Sequence, residues 1–177
     1  MKPGVHVALL RAINVGGNNK LPMKDLVRLF ESIGCGDVRT YIQSGNVVYT
    51  AGAALAKKVP ALAAAAIEAE LGLRVPVVTR TAAELADAAR ARPFEGDDGR
   101  VYVAFLADTP SAALIAALDP NRSPGDRFTI IGRDMHVSFA AGAGKTKITN
   151  AWIDAQLGTV STLRNLRTIA VLVAMTG

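Results

Sequence analysis

A chain of 177 residues, half of them apolar, can bury a sizeable core either as one large domain or as two small ones. Cys35 is the single cysteine, which excludes an internal disulfide framework and a multi-cysteine metal site and fits a reducing cytoplasm. The formal charge of +5 is loaded on the two ends, with +3 over residues 1–50, −1 over 51–144 and +3 over 145–177. If the ends met in space they would form one anion-attracting surface.

The first apolar run, Val5 to Leu10, has strand length and stops at Arg11, too short for a secretory signal. The loop that follows, Arg11-Ala12-Ile13-Asn14-Val15-Gly16-Gly17-Asn18-Asn19-Lys20, is rich in amides and glycines. Pro22 suits the first turn of a helix carrying Met23, Leu26, Val27, Phe30 and Ile33 at helical spacing, and Gly34 can take a left-handed cap. Val38 to Ile42 and Val47 to Tyr49 read as two short strands joined by Gln43-Ser44-Gly45-Asn46.

A second helix is expected over Val59 to Leu71, with Pro60 in its first turn and Gly72 closing it, and Val75 to Thr79 reads as the next strand. The order β-α-β-β-α-β is that of a ferredoxin-like, split βαβ fold. Thr81-Ala82-Ala83-Glu84 has capping-box spacing and starts a helix that ends before Pro93. The polar, glycine-rich stretch Glu95 to Gly99 marks a boundary, so the division expected is 1–92 and 93–177.

Beyond it come a strand Val101 to Leu106, a helix capped by Thr109 with Pro110 at its first position, and strands Phe128 to Ile131 and Met135 to Phe139 around Gly132-Arg133-Asp134. Two helices, about Lys147 to Leu157 and Leu163 to Met175, finish the chain. The fold class expected is therefore α+β: two ferredoxin-like halves with antiparallel sheets and additional C-terminal helices. The longest apolar stretch, Ile169 to Met175, falls well short of the roughly 20 residues needed to span a bilayer, so no membrane role is expected.

The two polar segments also carry a resemblance. Leu9 to Lys20 with Met23, then Val38 to Val47, closely resemble the signature of the bacterial domain of unknown function 1697 family. The likeness continues through Val75-Pro76-Val77-Val78, Arg92-Pro93-Phe94, Gly144 to Asn150 and Thr162 to Asn165. It departs at Ala12, where the family pattern has Gly, and at Leu166-Arg167, where it has Trp-Asn. The first departure suggests a backbone that does not need glycine's dihedrals, and the second removes an aromatic stacking group. The resemblance implies a bacterial, cytoplasmic α+β protein and carries no catalytic residues to transfer.

On their own chemistry, Asn14, Gly16, Gly17, Asn18 and Lys20 with Arg11 suit a phosphate or carboxylate, and Tyr41, Gln43, Ser44 and Asn46 would lie beside them if their strand pairs with the first. The competing reading is a tight turn whose amides cap its own backbone. Gly142 to Thr146 lacks the glycine that a phosphate loop requires at position 139, which is Phe. Lys145, Thr146 and Lys147 are still expected to form an anion contact at a helix N-terminus, with Arg164 and Asn165 on the last helix completing the basic surface. His6, His136 and Cys35 lack companions at ligand or catalytic spacing, so no metal or cofactor is indicated.

Two function classes follow from these residues: a binding module for a phosphorylated small molecule or nucleic acid, and a small cytoplasmic enzyme acting on an anionic metabolite. The enzyme reading lacks an acid or base, because neither polar segment contains His, Asp or Glu.

Overall fold

The computed structural model describes residues 2–177 and divides them into two compact units, residues up to Ala86 together with Leu172–Gly177, and Asp87–Val171. The first unit runs β1 (Gly4–Leu10), α1 (Met23–Ser32), β2 (Gly36–Tyr41), β3 (Asn46–Ala51), a short α2 (Ala53–Ala56), α3 (Val59–Leu71) and β4 (Val77–Thr81). Its sheet has the order β2-β3-β1-β4 with every neighbouring pair antiparallel. Helix α4 (Ala82–Ala91) follows.

The second unit repeats the plan: β5 (Val101–Leu106), α5 (Ala112–Ala116), β6 (Arg127–Ile131), β7 (Asp134–Ser138), α6 (Asn150–Leu157) and β8 (Ser161–Asn165). Its order is β6-β7-β5-β8, again antiparallel throughout, and α7 (Leu166–Thr176) ends the chain. Both units therefore have the ferredoxin-like strand order, which the periodicities predict in full for the first and without its last strand for the second.

The central strands explain the burial. In β1 the side chains of Ala8 and Leu10 enter a core with Leu26 and Phe30 of α1 and Ala63 and Ile67 of α3, while Val7 and Leu9 on the opposite face are equally buried. A strand buried on both faces must be apolar throughout, which is why Val5 to Leu10 reads as a continuous run rather than an alternation. In the second unit Ala104 and Leu106 of β5, Met135 and Val137 of β7, and Ile153 and Leu157 of α6 form the corresponding core.

Local signals set several boundaries. Gly72 closes α3 in the left-handed region at φ 66°. Thr81 and Glu84 form the predicted capping box: the Glu84 N–H donates to Thr81 Oγ1 at 3.1 Å, and the Thr81 N–H donates to Glu84 Oε2 at 2.8 Å.

Other boundaries differ from expectation. Helix α5 is capped by Ser111, whose Oγ accepts from the Leu114 N–H, rather than by Thr109. Helix α6 starts at Asn150 under a Thr149 cap, so Lys145, Thr146 and Lys147 precede it in a turn instead of forming its N-terminus. The helix expected from Leu163 starts only at Leu166, because Ser161–Asn165 is a strand that fills the free edge of β5. Asn165 ends it, its Oδ1 accepting from the Thr168 N–H at 2.8 Å to cap α7.

Two buried polar groups mark local costs. Tyr49 is fully buried against His6 and Phe30, and among the described residues its hydroxyl has no hydrogen-bond partner. Burial, with the nearby Cys35, raises its pKa, and burial pushes the Cys35 thiol up to about 11. Since an unsatisfied buried hydroxyl costs stability, Tyr49→Phe is expected to be neutral or stabilising by up to about 1 kcal/mol in denaturant unfolding.

His136 is 1% exposed, and among the described residues neither ring nitrogen has a partner. Burial lowers its pKa, opposed by the charge of Asp134. The folded protein thus binds this proton less readily than the unfolded chain, so the stability linked to it is present above the ordinary histidine value of about 6.5 and is lost as pH falls below it. The melting temperature should drop between about pH 7 and pH 5, and should drop less in His136→Phe.

Candidate functional site

The polar loop between β1 and α1 and the turn between β2 and β3 lie at the same end of the first sheet because β1 and β3 are antiparallel neighbours, with Leu9 opposite Asn46. The two segments are joined directly. The Leu10 N–H donates to the Gly45 carbonyl at 2.8 Å, and the Asn14 side-chain amide donates to the Gln43 carbonyl at 2.8 Å.

Gly45 is required at this junction. It sits at φ 82°, and a Cβ added there would lie 2.8 Å from both Leu10 Cβ and Ile13 Cδ1, inside any tolerable contact.

Asn14 organises the loop. Its amide nitrogen also donates to the Leu21 carbonyl at 2.9 Å, and its Oδ1 accepts from the Leu21 N–H at 2.9 Å, so one side chain fastens the start of the loop to its end and to the neighbouring turn. Asn19 reinforces it: its side-chain amide donates to the Ala12 carbonyl at 2.9 Å, and its own carbonyl accepts from the Asn14 N–H at 3.1 Å. Asn46, fully buried, donates to the Tyr41 carbonyl and to Ser44 Oγ, each at 3.0 Å. These amides shape backbone, as the turn reading has it.

Within that frame Val15 and Asn18 form a small bridge, the Asn18 N–H donating to the Val15 carbonyl at 3.0 Å, with Gly16 and Gly17 at its tip at φ 57° and 79°. Nothing lies within 4 Å of where either glycine's Cβ would be, so the tip is open on its outer side. Asn18, Lys20 and Gln43 are exposed, and Arg11, Tyr41 and Ser44 are half-buried. Among the described residues the N–H groups of Gly16 and Gly17 have no hydrogen-bond partner. What the tip offers is two exposed peptide N–H groups and a lysine on a fixed base.

Ala12 corrects an expectation. It lies in the left-handed region at φ 57°, so its backbone is one that favours glycine after all. Ile42, a β-branched residue that is 49% exposed, is held in the same region at φ 51°. Two non-glycine residues in strained conformations flank the loop junction.

The basic residues of the second unit divide. Lys145 and Lys147 are exposed, while the Thr146 hydroxyl between them donates to Asp126 Oδ2 at 2.6 Å and accepts from the Ile148 N–H at 2.9 Å. The guanidinium of Arg122 donates to the Lys147 carbonyl at 3.3 Å and lies over the Trp152 ring at 5.9 Å, a cation beside the predicted ones that sequence reading passed over. Arg164 is not on an exposed helix face: it is 9% exposed in β8 and donates to Thr162 Oγ1 at 2.8 Å and to the Leu163 carbonyl at 2.9 Å, and burial lowers its pKa to about 10. Asn165 is occupied as the cap of α7.

Arg80 escaped the sequence reading altogether. It is 1% exposed in β4 and donates to the carbonyl of the residue before it, Thr79, at 2.9 Å, as Arg164 does in β8. Each precedes the residue that caps the next helix, Thr81 or Asn165. Comparing β4 with β8 would have exposed the parallel.

Fold and site together define a two-unit ferredoxin-like α+β protein with a polar loop pinned by its own amides. The chain belongs to the family described as Protein of unknown function (DUF1697), whose profile matches residues 4–136. A solved structure described as conserved bacterial protein SP0830 from Streptococcus pneumoniae shares the fold, with a TM-score of 0.72 over 98% of each chain at 18% identity. No curated protein matches. No helix among the described residues is long and apolar enough to cross a membrane.

Two substitutions test the loop. Asn14→Ala removes a side chain that bonds three backbone groups and should cost about 2–3 kcal/mol of stability, more than an ordinary surface change. Ala12→Gly relieves a left-handed alanine and should instead raise stability by up to about 1 kcal/mol. Both are read from urea unfolding midpoints.

Proposed function

We propose that this protein is a cytoplasmic binding module for an anionic, phosphate-bearing ligand, received at the Gly16–Gly17 tip. The observation that carries the reading is the open glycine tip on a base fastened by Asn14 and Asn19. Its free N–H groups and Lys20 suit phosphate oxygens, and a base already ordered loses little entropy on binding. Arg11, half-buried in the same loop, and Gln43, exposed in the turn that the loop is bonded to, would orient the ligand.

Lys145 and Lys147, with Arg122 beside them, offer an anion contact on the second unit. A phosphorylated small molecule is favoured over a nucleic acid read by base stacking, because the aromatics of the first sheet that could stack on bases are Tyr41 and Tyr49, and Tyr49 is buried in the core. Binding is favoured over catalysis because neither loop contains a residue able to take a proton near neutral pH.

Titration calorimetry with a nucleoside triphosphate, and fluorescence anisotropy with a single-stranded RNA oligonucleotide, test this. A triphosphate should bind with modest salt dependence, and Lys20→Ala should weaken it about tenfold while leaving stability within about 0.5 kcal/mol. Binding of the RNA with a steep fall between about 50 and 200 mM salt would move the assignment to nucleic acid. Binding of neither probe, or no effect of Lys20→Ala, contradicts the proposal.

A further inference from the structure

The edge strands of the two sheets are not equally protected. An edge strand presents unpaired backbone N–H and C=O groups and is normally blunted by charges, bulges or a cover. Strands β4 and β8 hold buried residues, including Val78 and Arg80 in one and Thr162 and Arg164 in the other. Strand β2 is guarded by a register shift between Gly36 and Arg39 and by Asp37 in the left-handed region at φ 46°.

Strand β6 has none of these devices. It pairs with β7 without a bulge, from Arg127 opposite Ser138 to Ile131 opposite Asp134, and none of its five residues is buried. Ile131 is 48% exposed. The one charge, Arg127, is drawn aside, its guanidinium 4.9 Å from the centre of the Phe94 ring. Since Ile131 and Asp134 flank a two-residue turn, the ladder alternation aims the backbone groups of Phe128 and Ile130 away from β7, and among the described residues these have no hydrogen-bond partner.

We propose that β6 is the pairing edge of a homodimer, joining antiparallel to β6 of a second copy about a two-fold axis at Thr129, to form one continuous eight-stranded sheet. The sequence Arg127-Phe128-Thr129-Ile130-Ile131 is self-complementary in that register. Phe128 stands opposite Ile130 of the second copy, an aromatic against a β-branched residue, and the outward backbone groups of both meet in hydrogen-bonded pairs. Thr129 meets its own copy in the closer, non-hydrogen-bonded position, and Arg127 faces Ile131 rather than another cation. Five residues bury less area than a stable interface needs, and each copy carries +5, so the dimer is concentration-dependent and strengthens with salt.

Sedimentation equilibrium on the full chain tests the pairing through one exposed position. Ile131→Glu places a carboxylate opposite Arg127 of the second copy, twice per dimer, and should tighten association several-fold. Ile131→Lys places a cation there and should weaken it about tenfold. Thr129→Cys provides a second readout that does not depend on those variants, because mild oxidation should give a disulfide-linked dimer while native Cys35, being buried, gives none. A monomer at all concentrations up to about 1 mM, equal responses to the two Ile131 variants, or no cross-link through Thr129→Cys each overturn the proposal.

Discussion

The junction of Gly45 with Leu10 and Ile13 is the constraint on which the polar site rests. The side chains of Leu10 and Ile13 press so closely on the Gly45 backbone that no Cβ fits there, and the bond from the Leu10 N–H to the Gly45 carbonyl fixes the turn after β2 against the end of β1. Asn14 is then within reach of Gln43 and Leu21 together, and its three bonds close the loop. Each later contact presupposes the earlier one: Asn19 can clamp Ala12 only in a loop already folded back on itself.

This division of labour changes how the loop's composition is read. Asparagines beside glycines suggest ligand contacts, yet Asn14, Asn19 and Asn46 are occupied with backbone. In the proposed reading their part in binding is indirect: they order the loop from which Gly16, Gly17 and Lys20 project. The strained residues fit the same account. Ala12 and Ile42 sit in left-handed conformations that cost each about 1–2 kcal/mol, and the surrounding bonds over-determine those conformations.

Much of the fold was legible because local chemistry and tertiary demand agree. Helix α3 matches its expected span, Val59–Leu71, since an alanine-rich run is bounded by Pro60 and Gly72. The capping box at Thr81 and the β6–β7 hairpin were equally readable. Strand β8 was not, because Leu163 and Leu166 continue the helical spacing of Ile169 and Val173, and only the open edge of β5 decides that Ser161–Asn165 extends. The burial of Arg164 followed the same error. One signal was available and unused: Val5-His6-Val7-Ala8-Leu9-Leu10 and Val101-Tyr102-Val103-Ala104-Phe105-Leu106 match closely and occupy the same central place in their sheets, so the second half calls for a final strand as the first does.

For the proposed anion site to exist, the loop must be ordered before any ligand arrives. Backbone ¹⁵N relaxation of the free protein measures this residue by residue. The amide network requires order parameters for residues 14–20 close to the rigid value of about 0.85, with Gly16 and Gly17 little below their neighbours. Values below about 0.6 across that stretch would mean that the bonds of Asn14 and Asn19 do not persist, and the loop could not then present a preformed anion site.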